Sequence, residues 1–395
     1  MFPRFPRRAA RILAAVSAVA SIGATAAPAS AQSAGGEHRI LGKAHRSVAL
    51  CKAPSAHRAS CLAEVVTDLK MHRFTTGDYA DGYTPGQLQT AYGLTGSSAN
   101  TLVAVVDAYA NPTALESLNT YRSRFGLSRA DLTQVNEDGG TDLPGADAGW
   151  GTEEMLDLEM VSAACPQCRI LYVAANSPTF DDLGKAVNTA VRLGAKVVSN
   201  SYGGSESADE AGIQSKYYEH PGVAITASSG DSGYGVSVPA AFGSVVAVGG
   251  TRLDLTASGT RRSETVWTDA GSGCSRFVAK PKWQRDKGCT HRTVADVSAV
   301  ADPDTGVAVY DGFQSAGWLV VGGTSVSAPI IAGIYGRTGH TSGTPAKRLY
   351  SAPKGSLYDI TSGMNGTCSS PYLCAGTAGY DGPTGMGSPI GEAAF

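Results

Sequence analysis

The chain predicts an α/β fold: a doubly wound, mostly parallel sheet with helices on both faces, in a single catalytic domain. Three observations carry this expectation. Short apolar runs of strand character alternate with segments of about a dozen residues at helical spacing, an order that implies a parallel sheet covered on both sides. The 49 glycines concentrate after the apolar runs, where loops at the carboxyl ends of strands build sites. No internal repeat interrupts the alternation.

Taken in order, residues 1–31 read as a secretory signal peptide. Arg4, Arg7 and Arg8 precede an apolar stretch from Ile12 to about Ala27, which exits through Ala29-Ser30-Ala31. Residues 32–82 read as a short pro-segment or N-terminal arm, with weak hydrophobic periodicity and four of the seven histidines, His38, His45, His57 and His72. Residues 83–395 form the catalytic body. There, Leu102–Val106 is a buried-strand run, followed by helical spacing at Leu115, Leu118, Tyr121 and Phe125. Residues 153–164 predict a helix, 170–174 a strand, 181–193 a helix and 195–199 a strand. The spans 209–219, 223–227 and 245–248 predict helix, strand and strand. The apolar run Trp318–Val321 predicts a strand that turns through glycines into a helix beginning near Ser325.

Charge is uneven. The arm holds seven Lys/Arg against five Asp/Glu, and the body 21 against 29. An acidic body argues against nucleic acid as a partner, and no later segment resembles a membrane helix. The mature chain is expected outside the cell, and monomer is the default. All eight cysteines lie beyond residue 31, in sequence-local twos. In an exported protein this favours four disulfides, most simply 51–61, 165–168, 274–289 and 368–374. The single C-x-x-C at Cys165–Cys168 has no histidine nearby to complete a zinc site.

The chemistry begins at Gly322-Gly323-Thr324-Ser325-Val326-Ser327-Ala328-Pro329. A strand, a tight glycine turn and a helix starting at a serine can expose the Ser325 hydroxyl beside free backbone N–H groups. A helix N-cap is the plainer reading of the same residues. A serine nucleophile needs a base, and only His220, His291 and His340 lie in the body, none in a glycine-bounded context. Carboxylates offer another route. Glu153 and Asp157 stand four residues apart on one helix face, where like charges repel mildly and a shared proton would leave one carboxylate as a base in acid. Acids complementing a helix start are the structural alternative. Glu154 and Glu159 share that helix, but neither has an acid four residues away. Asp231 follows a predicted strand; as a protonated carboxyl it could donate to a developing oxyanion, or it could simply satisfy loop N–H groups.

These pieces together resemble the sedolisin family, serine-carboxyl peptidases with a subtilisin-like fold. The resemblance runs from about Tyr83 to the C-terminus. It rests on Tyr83-Thr84-Pro85, Glu153-x-x-x-Asp157, Ser199-Asn200-Ser201-Tyr202-Gly203, Ser229-Gly230-Asp231, Gly323-Thr324-Ser325, and the C-terminal Asp359-Ile360 with Gly379-Tyr380-Asp381, in that order. It implies Ser325 as nucleophile, Glu153 as general base, Asp157 as its orienting partner and Asp231 as the oxyanion-hole acid. Ser201, Tyr202 and Gly203 would pair with the substrate backbone, with Ser229 and Gly230 also lining the site. One structural calcium ion would be held by Asp359 and Asp381 with backbone oxygens of Ile360, Thr377 and Gly379. Thr377 stands where the family commonly has glycine.

The family's better-known members carry a much longer folded prodomain. Here the basic, His-rich arm is expected to dock on the acidic body as an inhibitor and to release in acid as the body's carboxylates protonate and the arm's histidines charge. Maturation is expected between Met71 and Tyr83. The expected activity is that of a secreted, acid-active endopeptidase on protein and peptide substrates, with a tripeptidyl-peptidase variant or a non-catalytic binding protein as alternatives. Asp231-Ser232-Gly233 and Asp304-Thr305-Gly306 match the aspartic-protease triplet, but stand too close together for two lobes.

Overall fold

Apolar alternation within one strand determines the layering. In the strand at Leu102–Ala108, Val103 and Val105 enter one core while Ala104, Val106 and Ala108 enter another, as a period of two requires of a sheet buried on both faces. The computed structural model describes residues 46–67, 82–96, 99–313 and 317–395. The signal peptide, His38, His45, His72 and the stretch from Met71 to Asp81 lie outside the described residues.

Three short strands come first: β1 (Ser47–Ala49), β2 (Ser60–Cys61) and β3 (Glu64–Val66). The body opens with α1 (Pro85–Tyr92), where Thr84 and Gln87 form a capping box and Pro85 takes the first helical position. Then follow β4 (Leu102–Ala108), α2 (Ala114–Arg124), β5 (Leu132–Asn136), α3 (Ala148–Ala164), β6 (Arg169–Ala175) and α4 (Phe180–Arg192). Next come β7 (Val197–Asn200), β8 (Tyr202–Ser205), α5 (Glu210–Tyr217), β9 (Ala224–Ser228), β10 (Ser237–Val238), β11 (Val246–Leu255) and β12 (Arg261–Val266). The last third contributes β13 (Gly273–Ala279), β14 (His291–Val294), β15 (Val297–Val300), β16 (Val307–Asp311), β17 (Gly317–Gly322) and α6 (Thr324–Thr338).

The main sheet has eight strands in the order β12-β11-β9-β7-β4-β6-β5, with β15 also on β11. All its pairings are parallel except β11 with the edge strand β12. Leu118 and Tyr121 of α2, Leu156 and Val161 of α3, and Ile330 and Ile334 of α6 share one core. Leu183 and Val187 of α4 and Tyr217 of α5 fill the other. The fold class is the one the alternation predicted, and the strand order reverses direction around β4, where sites form in such sheets.

Several boundaries differ. The helix expected from Glu153 begins five residues earlier, because Asp147 caps it by accepting from the Gly149 and Trp150 amides at 3.0 and 3.1 Å. Glu153 and Asp157 are therefore mid-helix, and the reading of acids complementing a helix start does not apply to them. Strand β11 runs seven residues past the expected end, its far half pairing β12. All four expected disulfides are formed: 51–61, 165–168, 274–289 and 368–374. Cys165 and Cys168 bond to each other rather than to a metal.

Candidate active site

Helix α6 presents Ser325 at its second position because the preceding residue can be nothing larger than glycine. Gly323 has φ +102°, and a Cβ there would sit 2.4 Å from the Leu62 carbonyl oxygen and 2.6 Å from Asp231 Oδ2. The missing side chain lets these oxygens face one space beside the open helix N-terminus. The Thr324 amide and hydroxyl both donate to Asp231 Oδ1, at 2.9 and 2.6 Å. The Ser325 amide donates to the Leu62 carbonyl at 2.9 Å. Pro329, four residues on, cannot donate to the Ser325 carbonyl, and Ser201 Oγ approaches that carbonyl at 3.3 Å.

Helix α3 is buried along nearly its whole length and supplies the carboxyl groups. Ser201 Oγ donates to Asp157 Oδ1 at 2.7 Å, leaving Oδ2 without a partner. Among the described residues, neither oxygen of Glu153 meets a donor in hydrogen-bond geometry. The Ser325 hydroxyl is nonetheless near enough to favour the charged form of Glu153, while it donates to the Ser201 carbonyl at 3.1 Å. Burial, then the charge of Asp107, push Glu153 well above the usual carboxylate range. Asp157 moves the same way, for burial first and then Asp107 and Glu153. Burial pushes Asp231 up to about 8, with its Oδ2 unpartnered.

Asp107 was not among the expected site residues. It lies in β4, fully buried, with both oxygens unpartnered, and burial pushes it up to about 8. Its signal was present: an acid inside the buried run Val103-Ala104-Val105-Val106-Asp107, near the carboxyl end of the strand. Glu154 and Glu159 are equally buried but each holds a backbone donor, although Glu159 leaves its Oε1 without a partner. Glu154 accepts from the Asn111 amide at 2.6 Å, and Glu159 from the Tyr310 amide at 2.9 Å.

Strand β8 continues the chain from Ser201, and it is already paired. Strand β2 lies antiparallel on it, with Ser60 opposite Gly203 and Cys61 opposite Tyr202. The Leu62 amide donates to the Ser201 carbonyl at 3.2 Å. Further out, Ala59 N donates to Pro178 O at 2.8 Å, and Arg58 bridges Thr179. Past Ala63, β3 pairs antiparallel with β17, Val65 opposite Val321 and Glu64 opposite Gly322. The arm reaches this place by strand pairing, where its basic and histidine-rich composition suggested docking by charge. Ser229 and Gly230 are not drawn into this pairing: their amides donate to the Val248 carbonyl and Thr324 Oγ1.

His220 bonds to Asn188 and the Tyr217 carbonyl, away from Ser325. Asp304 is held by Arg252 and Asp231 by Thr324, so the two aspartic-protease triplets do not form a dyad. A cavity of about 810 Å³ lined by Trp283, Tyr350, Tyr372 and Tyr380 contains none of the candidate catalytic residues.

At the C-terminal end, both Asp359 oxygens accept from the Gly379 amide, at 3.1 and 3.0 Å. Asp381 accepts from the Thr377 amide at 3.1 Å and from Thr384. The Asp359 charge acts on Asp381, and the Ile360 carbonyl lies beside Gly376. Carboxylate and carbonyl oxygens are the donors that calcium takes, but the groups of Thr377 and Gly379 that face the two carboxylates here are their amides. Among the described residues, no group of three or more His, Cys, Asp or Glu side chains is placed to hold a metal.

Residues 137–345, which contain Glu153, Asp157, Asp231 and Ser325, match the model of the subtilase family. Kumamolisin from Bacillus sp. (strain MN-32) is 34% identical over 317 residues, 70% of this chain and 56% of that protein. Sedolisin from Pseudomonas sp. (strain 101) is 30% identical over 357 residues, 78% of this chain and 60% of that protein.

The chain belongs to the sedolisin family.

The crystallised Pseudomonas sedolisin, a serine-carboxyl proteinase complexed with two molecules of pseudo-iodotyrostatin, superposes with a TM-score of 0.70 at 27% identity. That match covers 80% of this chain and 96% of that structure. The chain spans little more than half the length of the curated sedolisin-family relatives it matches.

Proposed function

We propose that the chain is a secreted, acid-active serine-carboxyl endopeptidase that cleaves protein and peptide substrates through an acyl-enzyme. One observation carries the reading: a peptide carbonyl, that of Leu62, accepts from the Ser325 amide beside the unpartnered Asp231 Oδ2. In this reading Ser325 Oγ attacks the carbonyl carbon and passes its proton to Glu153. The oxyanion is held by the Ser325 N–H and by a proton kept on Asp231 Oδ2. Oδ2 is the oxygen that carries the proton, since Oδ1 already accepts twice from Thr324. Glu153 then protonates the leaving amine, and water resolves the ester.

Asp107, Glu153 and Asp157 titrate as one unit, because buried like charges cannot all ionise together. A single negative charge shared by the three, with Glu153 next to Ser325, is the working form. Asp157 and Asp107 are positioning groups. Opening of the cleft to water lowers all three toward ordinary values and makes the base form available in acid. The rate falls toward alkaline pH as Asp231 loses its proton.

Strand addition at Ser201–Gly203 supplies sequence-independent affinity. Endopeptidase action is favoured over tripeptidyl removal because the paired segment continues to Ala59 and Arg58, more than three residues before the Leu62–Ala63 bond. Four disulfides fit an oxidising, extracellular compartment, and no helix among the described residues is long and apolar enough to cross a membrane. Asp359 and Asp381 with the carbonyls of Ile360, Thr377 and Gly379 would hold one calcium ion, which would tie the C-terminal loops together. The test of the reading is the pH–rate profile of peptide hydrolysis for wild type beside Ser325→Ala and Glu153→Ala. Loss of an acid activity in both variants supports it; activity surviving in Ser325→Ala, or a wild-type maximum near pH 8, overturns it. Added calcium should raise the melting temperature of wild type but not of Asp359→Ala.

A further inference from the structure

The segment in the cleft holds both sides of the Leu62–Ala63 bond through one small framework. Before the bond, β2 lies on β8, the Leu62 amide reaches Ser201 and the Leu62 carbonyl reaches the Ser325 amide. After the bond, β3 lies on β17. An ordinary substrate bound this way separates into two halves once cut. This one is cross-braced. Cys61, next to Leu62, is disulfide-bonded to Cys51, and Ser60 Oγ donates across the same ring to the Lys52 carbonyl at 2.6 Å. Leu50, next to Cys51, donates its amide to the Ala63 carbonyl at 2.9 Å, on the other side of the bond. Strand β1 then pairs with β3, Ala49 opposite Glu64 and Ser47 opposite Val66. Ser47 Oγ also donates to Glu64 at 2.5 Å.

From this geometry we propose that residues 46–67 are a built-in inhibitor of the reversible-cleavage type, kept in the cleft by the Cys51–Cys61 ring. The proposal rests on the peptidase reading for its chemical step. Ser325 Oγ bonds to the Leu62 carbonyl carbon, the Leu62–Ala63 C–N bond breaks, and the Ala63 nitrogen takes the proton carried by Glu153. The freed Ala63 amine cannot leave, because its own carbonyl is tied to Leu50 and Leu50 is tied through the ring to Cys61. The amine can return its proton to Glu153 and attack the Leu62 ester, restoring the peptide bond and the Ser325 hydroxyl. If water attacks first, the Leu62 carboxylate and the Ala63 amine both remain seated. Cutting and release are thus separate events, and the ring controls the second. The loss of freedom that a loose peptide would suffer on binding is already incurred in forming the ring and the β1–β3 pair.

The test uses the full chain, intact and with Cys51→Ser plus Cys61→Ser, held at about pH 4, where a carboxylate base works. Size exclusion followed by denaturing mass spectrometry reads the bond and the retention of the pieces together. A fluorogenic peptide carrying Ser-Ala-Leu-Ala-Glu reads the open cleft. With the ring, chains cut at Leu62–Ala63 should keep both pieces in one peak and hydrolyse the peptide slowly; without it, the N-terminal piece should be lost and the rate rise about tenfold or more. Equal rates and equal loss in the two chains overturn the proposal. Leu50→Pro, which removes the donor to Ala63 while keeping the ring, should give an intermediate rate and covers the case in which the double variant does not fold. If neither chain cleaves anything, the peptidase reading fails and the clamp is read without catalysis. In the Ser325→Ala background, hydrogen exchange at the Leu62 amide should be about tenfold slower with the ring than without it, with Val105 of the core protected in both. Equal exchange at Leu62 overturns the clamp.

Discussion

Helix α3 carries two pairs of buried acids that composition cannot tell apart. Glu154 and Glu159 each accept from a backbone amide of another element, Asn111 and Tyr310. They are acceptors in the architecture, holding the loop after β4 and the strand β16. Glu153 and Asp157, on the same helix and equally buried, keep three of four oxygens without a partner. Asp107 adds two more such oxygens from β4. Leaving buried polar atoms unsatisfied costs stability, and of these acids it is Glu153 that has the Ser325 hydroxyl beside it. Burial alone therefore does not mark the reactive acids here, and one orphaned oxygen does not either, since Glu159 has one as Asp157 does; among the four acids of α3, Glu153 is set apart by having neither oxygen in a hydrogen bond.

The largest expected effect that would break this contrast is Glu153→Gln, which should lower kcat/KM at about pH 4 by roughly 10³-fold or more while leaving the melting temperature unchanged or raised. A variant retaining a tenth of wild-type activity would put the base elsewhere. Asp107→Asn should cost about 10–100-fold. It should also move the acidic limb of the pH–rate profile to lower pH, because the Asp107 charge raises both Glu153 and Asp157. An unmoved limb would make Asp107 a structural acid like Glu154. On the other side of the comparison, Glu154→Ala strands the Asn111 amide and should cost about 1–3 kcal/mol in urea unfolding, with kcat/KM within about threefold.

The smallest effect is a slope. Asp107 and Asp231 stand near 8 in the folded chain and near the ordinary aspartate value of about 4 unfolded. Between those values the folded state binds more protons, so stability is fully present below about pH 4 and declines as pH rises toward 8. Asp231→Asn should flatten that decline in thermal melts; an equally steep slope would show that other groups carry it.

Much of the frame was legible. The apolar runs located β4, β6, β7 and β9, and the local cysteine spacing indicated all four disulfides. Glu153 and Asp157 at a four-residue interval necessarily share a helix face. Strands β12 to β14 went unread because edge and hairpin strands alternate polar with apolar residues and lack a continuous apolar run; β16 does carry one, Val307–Tyr310, but it is only four residues long. The arm went unread for a related reason. Strands of two and three residues have no periodicity of their own, and their order comes from the edges of β8 and β17 that they cover.

By itself, the sequence determined the fold class, the helix that carries two acids on one face and the glycine turn before Ser325, because each is a short-range consequence of spacing and backbone freedom; it made the four local cross-links the simplest pairing without deciding it. Only the tertiary structure decided which buried acids have donors, that Asp107 joins Glu153 and Asp157, and that the Leu62 carbonyl lies at the Ser325 amide. Those are contacts between residues 43 to 263 positions apart, and hydrogen-bond satisfaction is a property of the space they enclose rather than of any stretch of chain.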